Sequence, residues 1–187
     1  MIRINYKVFL KCYPGEVLFW AVGVIVGIVL LPTYLKAGGI VIGISIVSCI
    51  VGLMSWKGHF ANGALLPAVV VNPKKNLIAV VADFNNQGGH SYPVVKIVKR
   101  PLRNATGAPF KKATRLATVA TFHNKNIGNN KRWTDINPIV VNCVTASNKT
   151  IKNAVNAIDE AEWDILMNAL KKMDKPFKAG IFPFDLE

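Results

Sequence analysis

Two uncharged apolar runs near the start of the chain constrain it most: Val17–Leu35, of 19 residues, and Ala37–Trp56, of 20. At about 1.5 Å per helical residue each would span about 28–30 Å, the thickness of a bilayer's hydrocarbon core. A single helix through both would be about 60 Å long, twice that thickness. Pro32 and the pair Gly38-Gly39 also interrupt the pattern. The runs therefore predict a transmembrane helical hairpin with a tight turn around Pro32–Gly39. A cleaved signal peptide is the competing reading, because Arg3, Lys7 and Lys11 form a basic lead-in. The first run is long for that role, lacks a clean small-x-small site, and is followed at once by a second span.

Basic residues in the flanks set the expected orientation. Arg3, Lys7 and Lys11 precede the hairpin, Lys57, Lys74 and Lys75 follow it, and the turn carries Lys36 alone. This predicts a multi-pass protein of the inner (cytoplasmic) membrane with both termini in the cytoplasm. Small residues recur at helical spacing: Gly23 and Gly27 in the first span, Gly39, Gly43, Ser48 and Gly52 in the second. Such faces let helix backbones approach closely, either within the hairpin or between protomers of a homo-oligomer. Ile2–Tyr13 mixes apolar and basic residues and reads as a short amphipathic helix on the cytoplasmic leaflet, ended by Pro14-Gly15.

The parse is thus residues 1–59 as a membrane-anchoring hairpin and 60–187 as a cytoplasmic domain large enough for its own core. Gly58–Gly63 is the expected hinge. Strand patterns cover Ala64–Asn72, Leu77–Phe84, Tyr92–Val98, Arg115–His123 and Ile139–Thr145. Two helices follow. Ser147 or Asn148 caps the first, which carries Ile151, Val155 and Ile158. Asp159 opens the second, with Trp163, Leu166, Met167 and Leu170 on one face and Pro176 at its end. Strands followed by helices predict an α+β class: a small bent sheet or partial β-barrel with two C-terminal helices.

The runs PAVVVNPKKNLIAVVADFNN, SYPVVKIVKRPL, ATRLATVATF and PIVVNCVT resemble a family of small bacterial proteins that share a domain of unknown function. In that family a strand pair precedes a YPxxKxxxxPL-type segment and a terminal helical pair. The resemblance covers roughly residues 65–182 and leaves out the hairpin. It implies kinship of fold and a bacterial origin, and it supplies no activity.

Charge is the remaining signal. The net charge is +13, and between Lys74 and Lys152 fourteen Lys or Arg face two acids, Asp83 and Asp135. Such a surface suits an anionic leaflet or a phosphate-rich ligand. The candidate anion-binding residues are Lys99, Arg100, Arg103, Lys111, Lys112, Arg115, Lys131, Arg132 and Trp133. Arg forks match phosphate oxygens, and the indole offers a stacking surface. The plainer alternative is a solvated basic loop with Trp133 in the core. Asp83 is expected to pair with Lys96 or Arg100. His59, His90 and His123 lack ligand spacing, and Cys12, Cys49 and Cys143 form no CxxC, so no metal site is expected. No catalytic constellation or cofactor motif stands out, and the chain reads as no enzyme. Two functions are expected. One is a basic domain that binds a nucleotide, oligonucleotide or lipid headgroup and couples it to an oligomeric hairpin, as a defence or signalling effector. The other is an anchored structural or adaptor protein with a protein partner.

Overall fold

The computed structural model describes residues 2–85, 91–103, 108–123 and 132–185. Asn5 opens helix α1 (Tyr6–Cys12) by accepting a hydrogen bond from Val8 N at 3.3 Å. Pro14 then starts α2 (Pro14–Leu30) at a position where its missing N–H costs nothing. The chain bends by 92° between the two helices. The helix expected over Ile2–Tyr13 therefore forms only over Tyr6–Cys12 and ends before Pro14. Its apolar side packs into the protein: Phe9, fully buried, enters the main hydrophobic core together with Val119, Ile139 and Trp163.

Helix α3 (Leu35–Asn62) returns antiparallel to α2. The pairing is set by close contacts: Trp20 covers Gly52, Gly23 meets Ser45, and Gly27 meets Ile42 and Gly38. A Cβ on Gly27 would stand 2.5 Å from Ile42 Cγ1, and one on Gly38 2.7 Å from the Gly27 carbonyl oxygen. Gly38 thus belongs inside α3, where the helices touch, and the turn is Leu31–Tyr34 instead of reaching Gly39. Gly23, Gly27 and Gly52 serve packing within the hairpin. Gly39 and Gly43 face outward with nothing near them. The outer surface is apolar: Phe19, Val29, Ile44 and Met54 are each at least 64% exposed. Only 11% of the most apolar stretch of α3 is buried, unlike the core helix of a water-soluble fold. By length and composition α3 is one candidate span, and the bent pair α1–α2 is a second.

The expected hinge at Gly58–Gly63 is helix through Asn62 instead. His59 and Phe60 are buried against the sheet, which keeps α3 intact to Asn62, and strand β1 (Ala64–Asn72) starts two residues later. The other strands are β2 (Leu77–Asp83), β3 (Pro93–Lys99), β4 (Arg115–His123), β5 (Asp135–Val140) and β6 (Gly180–Pro183). They form one antiparallel half-barrel in the order β5-β4-β1-β2-β3-β6. A 3-10 turn, Val141–Cys143, occupies part of the expected fifth strand. Helix α4 (Asn148–Asn156), capped by Ser147, and α5 (Glu160–Lys172), capped by Asp159, follow. The latter ends four residues before Pro176.

Both faces of the sheet are covered, which is why β1 and β2 read as nearly unbroken apolar runs. One face carries Val69, Ala79, Val81 and Ile97 under α1, α4, α5 and the end of α3. The other carries Val70, Ile78, Val80, Val94 and Val140 and lines the inside of the half-barrel. Lys96 points inward from β3 and bonds Asp135 Oδ1 at 2.5 Å and Ile136 O at 2.6 Å. Arg100 donates from Nε to Pro138 O at 2.7 Å, and its Nη2 bonds Asn137 Oδ1. Three strands lie between β3 and β5, so these bonds fix the curl of the sheet.

Candidate functional site

The strand registers decide where the basic side chains go. Leu77 pairs with Lys99, and Val69 with Arg115. Ala113 N bonds Val70 O at 2.8 Å, and Arg100 N bonds Asn76 O at 2.9 Å. The β1–β2 turn, the end of β3 and the segment before β4 therefore share one end of the sheet. That end carries Lys74, Lys75, Lys99, Lys111 and Lys112, all exposed and none with an ion-pair partner among the described residues. Two left-handed residues shape it: Asn76 at φ 53° and Ala113 at φ 64°. Asparagine tolerates that conformation. Alanine pays a steric penalty of about 1 kcal/mol or more, which the Ala113–Val70 bond and the Thr114–Lys111 turn offset. Lys74 and Lys75 are not among the sequence-predicted anion-binding residues. Their place beside Lys99 depends on strand pairing, which no local pattern encodes.

The arginines behave differently. Arg100 is bonded to β5. Arg115 forms a two-pronged pair with Glu160, at 2.6 and 3.0 Å, and lies over the Trp163 ring at 5.0 Å. Arg132 sits over the Tyr92 ring at 4.4 Å and forms a bridge with Asn85. Arg103 is exposed beside the Cys12–Cys143 contact. Trp133 is half-buried, with its ring 5.9 Å from Phe122 and its backbone N–H on Phe84 O at 2.8 Å. Arg132 and Trp133 lie near the end of β2, opposite the lysine end, so the geometry does not join them to Lys99, Lys111 and Lys112. Lys131 and His90 lie outside the described residues.

Asp83 does not pair with Lys96 or Arg100. Its carboxylate accepts from Tyr92 N at 2.8 Å, Asn85 N at 2.9 Å and Ser91 Oγ at 2.7 Å. Partial burial pushes its pKa up, but these donors together hold it below the ordinary value. A cavity of about 390 Å³ opens next to it, walled by Leu66, Val81, Phe122 and Ile165, with Glu162 at its edge.

The junction between α3 and the sheet is polar and ordered. His59 Nε2 lies 3.0 Å from Val119 O, so it donates, and Nδ1 is left to accept from Thr121 Oγ1 at 3.1 Å. Thr121 Oγ1 in turn accepts from His123 Nε2 at 3.0 Å. These bonds, with the Phe9–Trp56 and Tyr13–Trp56 ring contacts, connect the hairpin's open end rigidly to the domain.

The sequence from residue 53 to 174, the end of α3 through α5, matches the family model described as "Protein of unknown function (DUF3239)". The chain belongs to the DUF3239 family. The likeness seen in the strand motifs is thereby borne out. Among solved structures, the crystal structure of a "putative membrane protein" from Corynebacterium diphtheriae aligns with a TM-score of 0.51 at 21% identity, covering 65% of this chain and all of that one. At that identity the likeness is one of fold. No curated protein matches the chain.

Proposed function

We propose that this DUF3239 protein is a non-catalytic, membrane-anchored binding module whose lysine-rich sheet end captures a polyanionic partner. The observation that carries this reading is the convergence of Lys74, Lys75, Lys99, Lys111 and Lys112, none with an ion-pair partner among the described residues, on one end of the sheet. Lysines are point charges and do not present the planar fork that reads bases or clamps a phosphate. The stacking and forked groups considered for such readout, Trp133, Arg100 and Arg115, have partners within the fold. Recognition by charge, with little sequence preference, follows. The rigid α3–β1 junction would pass such binding to the hairpin, whose outward Gly39 and Gly43 suit assembly of several copies, and the bacterial setting suits a signalling or defence effector. The domain would face the cytoplasm, in keeping with the basic flanks.

The test is titration of the detergent-solubilised full chain with a fluorescent 20-nucleotide single strand at several salt concentrations. Combined Lys99→Glu, Lys111→Glu and Lys112→Glu should weaken binding by at least about tenfold and flatten the log–log salt slope by about 2. Absent binding by the wild type, or an unchanged slope in the variant, would discard the reading. A second reading, an adaptor that docks another protein, draws on the apolar cavity beside Phe122 and Ile165. It predicts that Ile165→Arg abolishes partner capture while the salt slope stays the same.

A further inference from the structure

A groove of about 400 Å³ lies between the N-terminal segment and the last turns of α3. Ile2, Ile4 and Phe60 form its apolar wall, and Arg3, Tyr6 and Lys57 contribute polar ends. Neither Arg3 nor Lys57 has an ion-pair partner among the described residues. Glu16 is the sole acid among the first 82 residues of the sequence.

Its level relative to the anchor is set by the helix. The exposed apolar surface of α3 runs to Met54, Trp56 ends the uncharged stretch, and Lys57 is the next residue. At about 1.5 Å per residue, Lys57 and Phe60 lie within about 6 Å of Trp56, the depth of a headgroup layer. Helix α1 bends from α2 by 92°, so it runs along the membrane plane when α2 spans, and it adds exposed Lys7 and Lys11.

We infer that this groove holds one anionic phospholipid, its phosphodiester between Arg3 and Lys57 with the Tyr6 hydroxyl as a further donor. The apolar wall of Ile2, Ile4 and Phe60 takes the glycerol and the start of an acyl chain. A free soluble anion would use the two cations and leave that wall wet, whereas a bilayer lipid satisfies both. The inference rests on the membrane reading of the hairpin and is independent of the lysine end.

Native mass spectrometry of the detergent-solubilised full chain, with dioctanoyl phosphatidylglycerol, dioctanoyl phosphatidylcholine and glycerol 3-phosphate as probes, tests it. One phosphatidylglycerol should bind in preference to the other two. Arg3→Gln with Lys57→Gln should weaken it about tenfold to thirtyfold, from loss of two interfacial cations. Lys149→Gln with Lys152→Gln should leave it unchanged. All four positions are exposed or half-exposed, and thermal melting checks that each variant is folded. Equal binding of phosphatidylcholine or glycerol 3-phosphate, or undiminished phosphatidylglycerol on the Arg3/Lys57 variant, overturns the lipid site. A chain that is monodisperse without detergent overturns the membrane reading itself, so the two failures are distinguishable.

Discussion

Lys96 on β3 meets Asp135 on β5 at 2.5 Å, although three strands separate them in the sheet. The pair is mostly shielded, at 14% and 17% side-chain exposure, and shares its site with the Ile136 carbonyl. A flat sheet would hold these residues far apart, so the contact reports the curl that makes a half-barrel of it. Removing one partner strands the other. Lys96→Ala should destabilise the domain by about 2–3 kcal/mol. Lys96→Met with Asp135→Leu should recover much of that loss. Urea unfolding of the solubilised chain measures both, and a Lys96→Ala loss below about 0.5 kcal/mol would mean that the sheet curls without the pair.

Gly27 and Gly43 should respond in opposite ways to enlargement. Gly27 has Ile42 and the Gly38 carbonyl within 3.0 Å of where a Cβ would go, whereas Gly43 has open space. Gly27→Leu should break α2–α3 packing and lower the thermal midpoint. Gly43→Leu should leave the hairpin intact and, if copies associate through that face, shift cross-linked species to monomer. Circular dichroism melts and cross-linking read the two effects separately.

Asp83 supplies a pH dependence with a definite sign. Its folded carboxyl lies below the ordinary value of 3.8 because Tyr92, Asn85 and Ser91 outweigh the upward push of burial. Its contribution is complete above that ordinary value and is lost as pH falls through the lower folded one. Asp83→Asn should cost about 1 kcal/mol at pH 7, allowing for solvent screening of so exposed a group. It should also flatten the stability curve below about pH 4. An Asp83→Asn curve that parallels the wild type through that range would contradict this assignment.

Tyr13 makes a less intuitive prediction. Its hydroxyl is buried and has no hydrogen-bond partner among the described residues, while its ring stacks near Phe9 and Trp56. Tyr13→Phe keeps the ring and removes the desolvated oxygen. Stability should be unchanged or rise by up to about 1 kcal/mol. A loss larger than that in a thermal melt would show that the hydroxyl is paired.

Where local chemistry determines structure, the sequence was readable. The bounds of β1 and β4 follow from their apolar runs and flanking turns, and Ser147 and Asp159 cap the helices as their positions suggest. Misreadings arise where a distant contact decides. Pro138 disguised β5, yet on an edge strand its missing N–H does no harm opposite Ala120. Gly38 looks like a turn residue until Gly27 is seen against it, and Gly58 looks like a hinge until His59 and Phe60 are seen docked on the sheet. Strand β6, the four residues Gly-Ile-Phe-Pro, is too short to carry a periodic signal and exists because β3 offers an edge. The same holds for the site: total charge is visible in composition, but which cations have partners depends on pairings across the fold.

The anchor requires lipid around the outer faces of α2 and α3, and alkaline carbonate extraction of membranes from cells expressing the full chain tests this most directly. The prediction is that essentially all of the protein stays in the membrane pellet and that only detergent releases it. Recovery of the intact chain in the carbonate supernatant would contradict it.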